Sequence, residues 1–222
     1  MNAQAVISVI EGEVASRPFV AEPFFRSMEA GRLTKEDISR FAVQFRHFEE
    51  ILTMFLEETA RCATTPGAKA VIEDNLRDET GEGHECSHVE LLDRFLQAMD
   101  AQGAPISPAM QNLKDVCATF VFGKRSAIEG VAVLLAYEMQ SPRVSSLVAS
   151  SLRRQLSLDD RAMAFWDVHA TLDEQHGEAL ARAVAEMATS AEDVERVVAA
   201  VRDISAAWTE FFAEQHALAA AA

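Results

Sequence analysis

The segment that decides the fold is His169-Ala-Thr-Leu-Asp173-Glu-Gln-His176, in the C-terminal third of the chain. Offsets of four and seven residues place the three side chains within about 60° of one another around an α-helix. Two imidazoles and a carboxylate on one helical face form a metal-binding arrangement that suits iron or manganese, whereas thiolate-rich sets suit zinc. The alternative is an exposed helix with two chance histidines, which is uncommon because the whole chain has only six. The segment therefore predicts a metal site carried by a helix.

Composition and charge narrow the class of protein. The 222 residues are 49% hydrophobic, with nine Gly and six Pro, which suits one all-α domain over residues 1–222. A formal net charge of −15 argues against nucleic acid or an anionic membrane as a partner, because both would repel the protein. Three cysteines fit reduced thiols better than a disulfide framework. With no signal-peptide pattern and no apolar run of roughly 20 residues, we expect a cytoplasmic protein.

Helical periodicity and capping residues predict a bundle of about seven to eight helices. Thr34 is a good N-cap, and the helix after it has an apolar face of Ile38, Phe41, Phe45, Phe48, Leu52 and Phe55. We expect one helix over about 68–100, interrupted or strained at 81–83, and a long helical region over 109–140 that ends near a proline. A shorter helix over 143–156 follows, and the metal-binding segment lies in a helix from 159 or 160 to about 188.

A second candidate metal-binding pair precedes this segment. Glu85 lies three residues before His88, which is the Glu-x-x-His spacing of ferritin-like di-iron bundles. Asp173 and His176 repeat that spacing with a shorter acid. The two pairs together indicate a centre with more than one metal ion.

Two further glutamates extend the ligand set. Glu138 follows a strongly apolar run, where an unpaired buried carboxylate would be costly. Metal coordination would relieve that cost, and a salt bridge to Arg143 is the alternative. Glu50 completes a ferritin-like order of ligands, although a solvated acidic face explains this residue as well.

Taken together, these segments resemble the haem-oxygenase-like di-iron oxidases and oxygenases. The resemblance depends on Asn-Leu-Arg-Asp-Glu-Thr-Gly-Glu-Gly at residues 75–83, on Glu138 after its apolar helix, and on the 169–176 segment. Their order and separations agree with the family over roughly residues 34–180. The resemblance implies an all-α, haem-oxygenase-like bundle and two iron ions whose ligands are Glu79, His88, Glu138, His169, Asp173 and His176.

The chain departs from the family at one point. Glu79 and His88 are nine residues apart, where family members usually have ten. On a continuous helix this offset would place them about 180° apart, so residues 81–83 would have to unwind. Glu79 is preferred because the surrounding motif fits, and Glu85 stays open as a rival. Some relatives that oxygenate nitrogen carry an extra glutamate on the preceding core helix, and Glu50 is the nearest candidate.

The resemblance implies an O₂-dependent enzyme. Two Fe ions would reduce the co-substrate O₂ to a bridging peroxide, which would oxidise a small amine or amino-acid-like metabolite by N-oxygenation or oxidative C–C cleavage. Phe45, Tyr137 and Trp166 are candidates for the substrate pocket, with ordinary core aromatics as the alternative. We also expect a homodimer and an external electron donor.

Two other activities remain open on the same fold. One is a di-iron enzyme that oxidises fatty acids. The other is a cofactor-free enzyme like TenA or PqqC, and a hydrolase of that kind needs an activated cysteine, for which Cys86 and Cys117 are the candidates.

Overall fold

The chain folds into helices joined by short connections. The computed structural model describes residues 3–83, 85–123 and 127–221, in which no strand occurs. These residues form ten α-helices, namely α1 (Ala3–Ala15), α2 (Pro23–Glu29), α3 (Lys35–Cys62), α4 (Pro66–Thr80), α5 (His88–Ala98), α6 (Pro108–Val121), α7 (Ala127–Glu138), α8 (Ser141–Gln155), α9 (Asp160–Met187) and α10 (Ala191–Ala220). A 3₁₀ turn, Phe19–Ala21, lies between α1 and α2. The all-α prediction is confirmed.

Local capping residues determine where the helices begin. Thr34 accepts a hydrogen bond from the Asp37 N–H at 3.1 Å, and the Asp37 carboxylate accepts one from the Thr34 N–H at 2.9 Å. This reciprocal pair satisfies two N–H groups that would otherwise lack partners. Ser87 caps α5 in the same way, and the Asp159 side chain caps α9. The caps of α5 and α9 therefore fix the start of two helices that carry predicted ligands.

The segment expected as one helix over 68–100 is divided in the structure into α4 and α5. Gly81 ends α4 with a φ of +76°, a left-handed conformation that L side chains rarely adopt. A Cβ atom at Gly81 would lie 2.6 Å from the Cys86 carbonyl group, so only glycine fits here. The helix is therefore interrupted at the predicted glycines and not strained through them, and the turn removes the 180° separation of Glu79 from His88.

The region expected as one helix over 109–140 is also divided. It forms α6, which ends at Val121, and α7, which begins at Ala127. These two divisions largely explain why the helix count exceeds the predicted seven to eight. All residues of α7 from Ile128 to Glu138 are buried, so this helix is enclosed on every side. Its last residue, Glu138, is thereby carried into the protein interior.

The core is built around α3 and α9, which have 28 residues each. Helix α9 packs against α4, α5, α7 and α8. Aromatic rings fill the space between α3, α9 and α10, with Phe41 stacked on Trp166 of α9 and on Phe211 of α10. Helix α9 therefore presents its 169–176 face to the three helices that carry the other predicted ligands. Across the ranges given above, no helix is both long and apolar enough to cross a membrane.

Candidate metal centre

Two groups of three ligand residues lie in the protein interior. The first triad is Glu79, His88 and His169, and the second triad is Glu138, Asp173 and His176. Within each triad, one ligand atom from every residue lies within 4.8 Å of the other two. None of the six residues is more than 7% exposed. The structure therefore brings together all six ligands that the family resemblance implied.

The first triad joins α4, α5 and α9. Glu79 Oε1 lies 3.0 Å from His88 Nδ1 across the turn between α4 and α5, and the His88 and His169 rings are 4.4 Å apart between centroids. His169 Nδ1 lies 2.7 Å from the Phe165 carbonyl oxygen, which fixes Nδ1 as the protonated nitrogen and leaves Nε2 with a free lone pair. Burial lowers the pKa of His169 to about 4, so the imidazole is neutral and can bind a metal.

The second triad joins α7 and α9 and is held in place from α4. Asn75 Nδ2 donates a hydrogen bond to Glu138 Oε1 at 3.0 Å. His176 Nε2 lies 3.0 Å from Asp78 Oδ2, so its Nδ1 faces Glu138 Oε2 and Asp173 Oδ1, each 3.8 Å away. A ligating histidine whose other ring nitrogen donates to a carboxylate is the common arrangement at metal sites.

The carboxylates of the two triads differ in their charge environment. Burial holds the pKa of Glu138 well above its usual range, and the charges of Asp173 and Glu79 add to the shift. Burial also raises the pKa of Asp173, where the nearby Ser141 hydroxyl opposes the shift and Glu79 adds to it. Burial acts on Glu79 in the same direction, but nearby imidazoles, His88 first, outweigh it and lower the pKa of this carboxyl.

The buried polar atoms fit a pair of metal ions. Among the described residues, no hydrogen-bond partner exists for His169 Nε2, His176 Nδ1, Glu138 Oε2 or either carboxylate oxygen of Asp173. Leaving such groups unpaired is costly, and two cations between them would satisfy the lone pairs and screen the carboxylates. The donor set is three imidazoles and three carboxylates without a thiolate, which suits iron.

The two other candidate ligands, Glu50 and Glu85, lie outside the centre. The Glu50 side chain is 57% exposed, with Oε2 3.5 Å from Arg46. Glu85 is 82% exposed and lies 3.2 Å from Arg94. Neither carboxylate is among the converging ligand atoms of the two triads. The Glu85–His88 pairing assumed a continuous helix, whereas α5 begins at His88, after the turn.

Glu49, which sequence reasoning passed over, occupies the place expected for Glu50. It is buried on α3, and Tyr137 donates a hydrogen bond from its hydroxyl to Glu49 Oε1 at 3.0 Å. Burial raises the pKa of Glu49 well above its usual range, and the charges of Glu79 and Glu138, one carboxylate from each triad, add to the shift. The available indication was its spacing, since Glu49 is four residues from Phe45 and three from Leu52 on the apolar face.

The profile of the iron-containing redox enzyme family matches residues 38–209, a range that contains both triads. The chain belongs to this family. It is 26% identical over 212 residues to the 4-aminobenzoate synthase of Nitrosomonas europaea, covering 87% of this chain and 83% of that protein. It is 24% identical over 202 residues to the 4-aminobenzoate synthase of Chlamydia muridarum, covering 88% and 84%.

Solved structures confirm the all-α, haem-oxygenase-like fold of this family member. A CADD-like protein of unknown function from Nostoc punctiforme superposes with a TM-score of 0.81, at 16% identity and with 98% of each chain covered. A TenA homolog from Pseudomonas syringae gives 0.79 at 15% identity, covering 97% of this chain and 92% of that one. A domain with a haem oxygenase-like fold from Shewanella denitrificans gives 0.72 at 16% identity, covering 96% and 89%. At these identities the likeness concerns the fold alone.

The aromatic residues predicted for a substrate pocket come together in the structure. Phe45, Tyr137 and Trp166 line one cavity, together with Trp208 and Phe212. Its volume is about 10 Å³, which is room for about one water molecule. A ring-sized substrate would need these side chains to move, so their part in substrate binding stays a prediction.

Proposed function

We propose that this protein is a non-haem di-iron oxidase or oxygenase that uses O₂ to oxidise a small amine or amino-acid-like metabolite. The observation that carries the proposal is the pair of buried triads, each with three converging ligand atoms. Membership of the iron-containing redox enzyme family supports iron as the metal. We also propose that the enzyme works as a homodimer with an external electron donor.

The chain's own residues prepare the centre for metal. Glu79, His88 and His169 would hold one iron, and Glu138, Asp173 and His176 the other. Asn75 orients Glu138 and Asp78 orients His176, so two of the three ligands of the second triad are held before any metal binds. Once bound, the two ions would supply redox chemistry and a site for O₂.

The substrate class draws support from the relatives. The two proteins named 4-aminobenzoate synthase take their name from a small aromatic amine that carries a carboxylate. A substrate or product of that size and kind agrees with a metal centre enclosed among helices.

Cys117 is poorly suited to be the nucleophile that the cofactor-free alternative needs. This cysteine is buried on α6, and burial alone raises the pKa of its thiol far above the usual range. A thiol in that environment stays protonated and is a poor nucleophile. Cys86 is half-buried in the turn between α4 and α5 and remains the candidate for such a reaction.

Anaerobic loading with Fe(II) tests the proposal. We expect two irons per chain by elemental analysis, and on exposure to O₂ a transient visible absorption band with consumption of O₂. His169→Ala and His176→Ala should each lose one iron, because each removes one ligand from a different triad. His47→Ala is the matched control, since His47 Nε2 contacts the Ala104 carbonyl oxygen at 3.0 Å, away from both triads. Unchanged iron content in both triad variants would overturn the proposal.

A further inference from the structure

Two adjoining cavities lie beside the second triad. The first has a volume of about 390 Å³ and is lined by Glu138 and Asp173 of the triad. The second has a volume of about 250 Å³. Glu11, Met139 and Arg143 line both, so the two cavities form one recess between α1, the α7–α8 junction and α9. Sites for small molecules commonly have volumes of about 300–1,000 Å³.

Arg143 holds an unusual position in this recess. Its side chain is exposed. It is the one basic residue among the described residues that line either cavity. It has no ion-pair or hydrogen-bond partner in the described part of the chain. The salt bridge to Glu138 that the sequence left open does not form: Glu138 Oε1 accepts from Asn75, and Oε2 has no hydrogen-bond partner among the described residues. Arg143 also lies in the first turn of α8, where the helix dipole disfavours a cation. The Arg143 guanidinium is therefore available to a ligand in the recess.

Gln140 supplies a second donor beside Arg143. The residue lines the 250 Å³ cavity and is 6% exposed. Its Oε1 accepts a hydrogen bond from the Phe19 N–H at 2.8 Å, which identifies the other amide atom as the NH₂ group. This Nε2 is buried without a hydrogen-bond partner among the described residues. A carboxylate can accept from a guanidinium and an amide NH₂ together, and charge-assisted bonds of this type are strong.

We propose that Arg143 and Gln140 bind the carboxylate of a small amino carboxylic acid, the amine end of which faces the second triad. The walls of the recess fit the remainder of such a molecule. Val14, Pro18 and Val20 line the cavity of Gln140 with apolar surface, and the cavity of the second triad adds the acidic groups of Glu174 and Glu178. The assignment of the amine as the reacting end rests on the proposed function.

Equilibrium binding of two matched probes tests the subsite. 4-Aminobenzoate and 4-aminobenzamide share a ring and an amine, and only the first carries a charged carboxylate. Calorimetric titration is done on the full chain in two states, metal-free and loaded with Fe(II) under anaerobic conditions. In both, 4-aminobenzoate should bind at least about tenfold more tightly than 4-aminobenzamide. Arg143→Gln should abolish this preference and Arg143→Lys should keep part of it. Arg154→Gln, on the same helix but lining neither cavity, should retain it.

The possible results distinguish failure of the carboxylate subsite from failure of the proposed function. Equal affinity for the two probes in the metal-free wild type, no binding of either at millimolar concentration, or an undiminished preference in Arg143→Gln would overturn the carboxylate subsite. Iron content is measured on the same samples. Two irons per chain without a carboxylate preference would overturn the subsite alone. An Arg143-dependent preference in a chain that binds no iron would support the subsite and overturn the proposed function.

Discussion

The two triads share their ligand chemistry but differ in how their charges are arranged. In the first, one carboxylate faces two imidazoles, and Glu79 contacts His88 directly at 3.0 Å. In the second, two carboxylates face one imidazole, which lies 3.8 Å from each. The pKa of Glu79 is accordingly lowered, while those of Glu138 and Asp173 are raised. The first triad is thus partly balanced by itself, whereas the second depends more strongly on a cation.

Because the two triads are separate groups of ligands, we expect each to bind its own iron independently of the other. Asp173→Asn and Glu79→Gln should each remove one iron per chain, with affinity at the altered triad falling by more than about 100-fold, since a direct ligand is lost. Anaerobic equilibrium dialysis followed by elemental analysis measures this. Asp167→Asn, an exposed change on the same helix as Asp173, should keep both irons. Loss of both irons from either single variant would show one cooperative site.

The contact of Asp78 on α4 with His176 should affect iron binding at the second triad alone. Asp78→Asn weakens the partner of His176, so we expect iron affinity at this triad to fall by about 10–100-fold. Titration in the His169→Ala background isolates the second triad. Asp74→Asn changes an exposed carboxylate on α4 that pairs with Arg77, and should have little effect. Equal binding by Asp78→Asn and Asp74→Asn would contradict the role of Asp78.

In the metal-free protein, replacing a carboxylate in the first triad and in the second should change the free energy of unfolding differently. Glu79→Gln removes the charged partner of His88, and we expect the free energy of unfolding to fall by about 1–2 kcal/mol. Asp173→Asn resembles the protonated acid that the raised pKa favours, so stability should stay unchanged or increase. Urea unfolding of chelator-treated protein at neutral pH provides the measurement. A destabilisation by Asp173→Asn equal to that of Glu79→Gln would remove the distinction between the triads.

The smallest effects are expected at Glu49 and its exposed neighbour Glu50. Glu49→Gln keeps an oxygen for the Tyr137 hydroxyl and resembles the protonated acid, so both irons should bind and stability should change by less than about 0.5 kcal/mol. Glu50→Gln loses a surface ion pair and should be equally neutral. Loss of one iron in Glu49→Gln alone would show that Glu49 is a metal ligand and that the first triad is incomplete.

The 169–176 segment could be interpreted from the sequence because its geometry is local. Residues four and seven apart on a helix share a face whatever the rest of the chain does. The same reasoning placed Phe45 and Phe48 in the interior, since apolar periodicity reports burial directly. The apolar run before Glu138 marked this residue as a candidate, and family resemblance then supplied Glu79, whose position depends on how separate helices meet.

The missed residues depend on tertiary contacts that no single segment contains. Choosing Glu49 over Glu50 required the orientation of α3 relative to α4, because adjacent helical residues point about 100° apart. Asn75 and Asp78 entered the sequence interpretation only as part of the family motif and were given no contact with a ligand, although with Glu79 they occupy one face of α4 at offsets of three and four. Rejecting Glu85 required the turn at Gly81, which periodicity alone does not reveal.

That turn also bears on how relatives of this protein can be found. Because Gly81 ends α4 and the Ser87 cap restarts the chain as α5, the separation of Glu79 from His88 is set by a connection and not by helical pitch. Insertions and deletions in connections are tolerated far more readily than in helices. A search pattern with a fixed gap between these residues would therefore overlook homologues, whereas a pattern that fixes the glycine and the serine cap while leaving the gap variable would retain them.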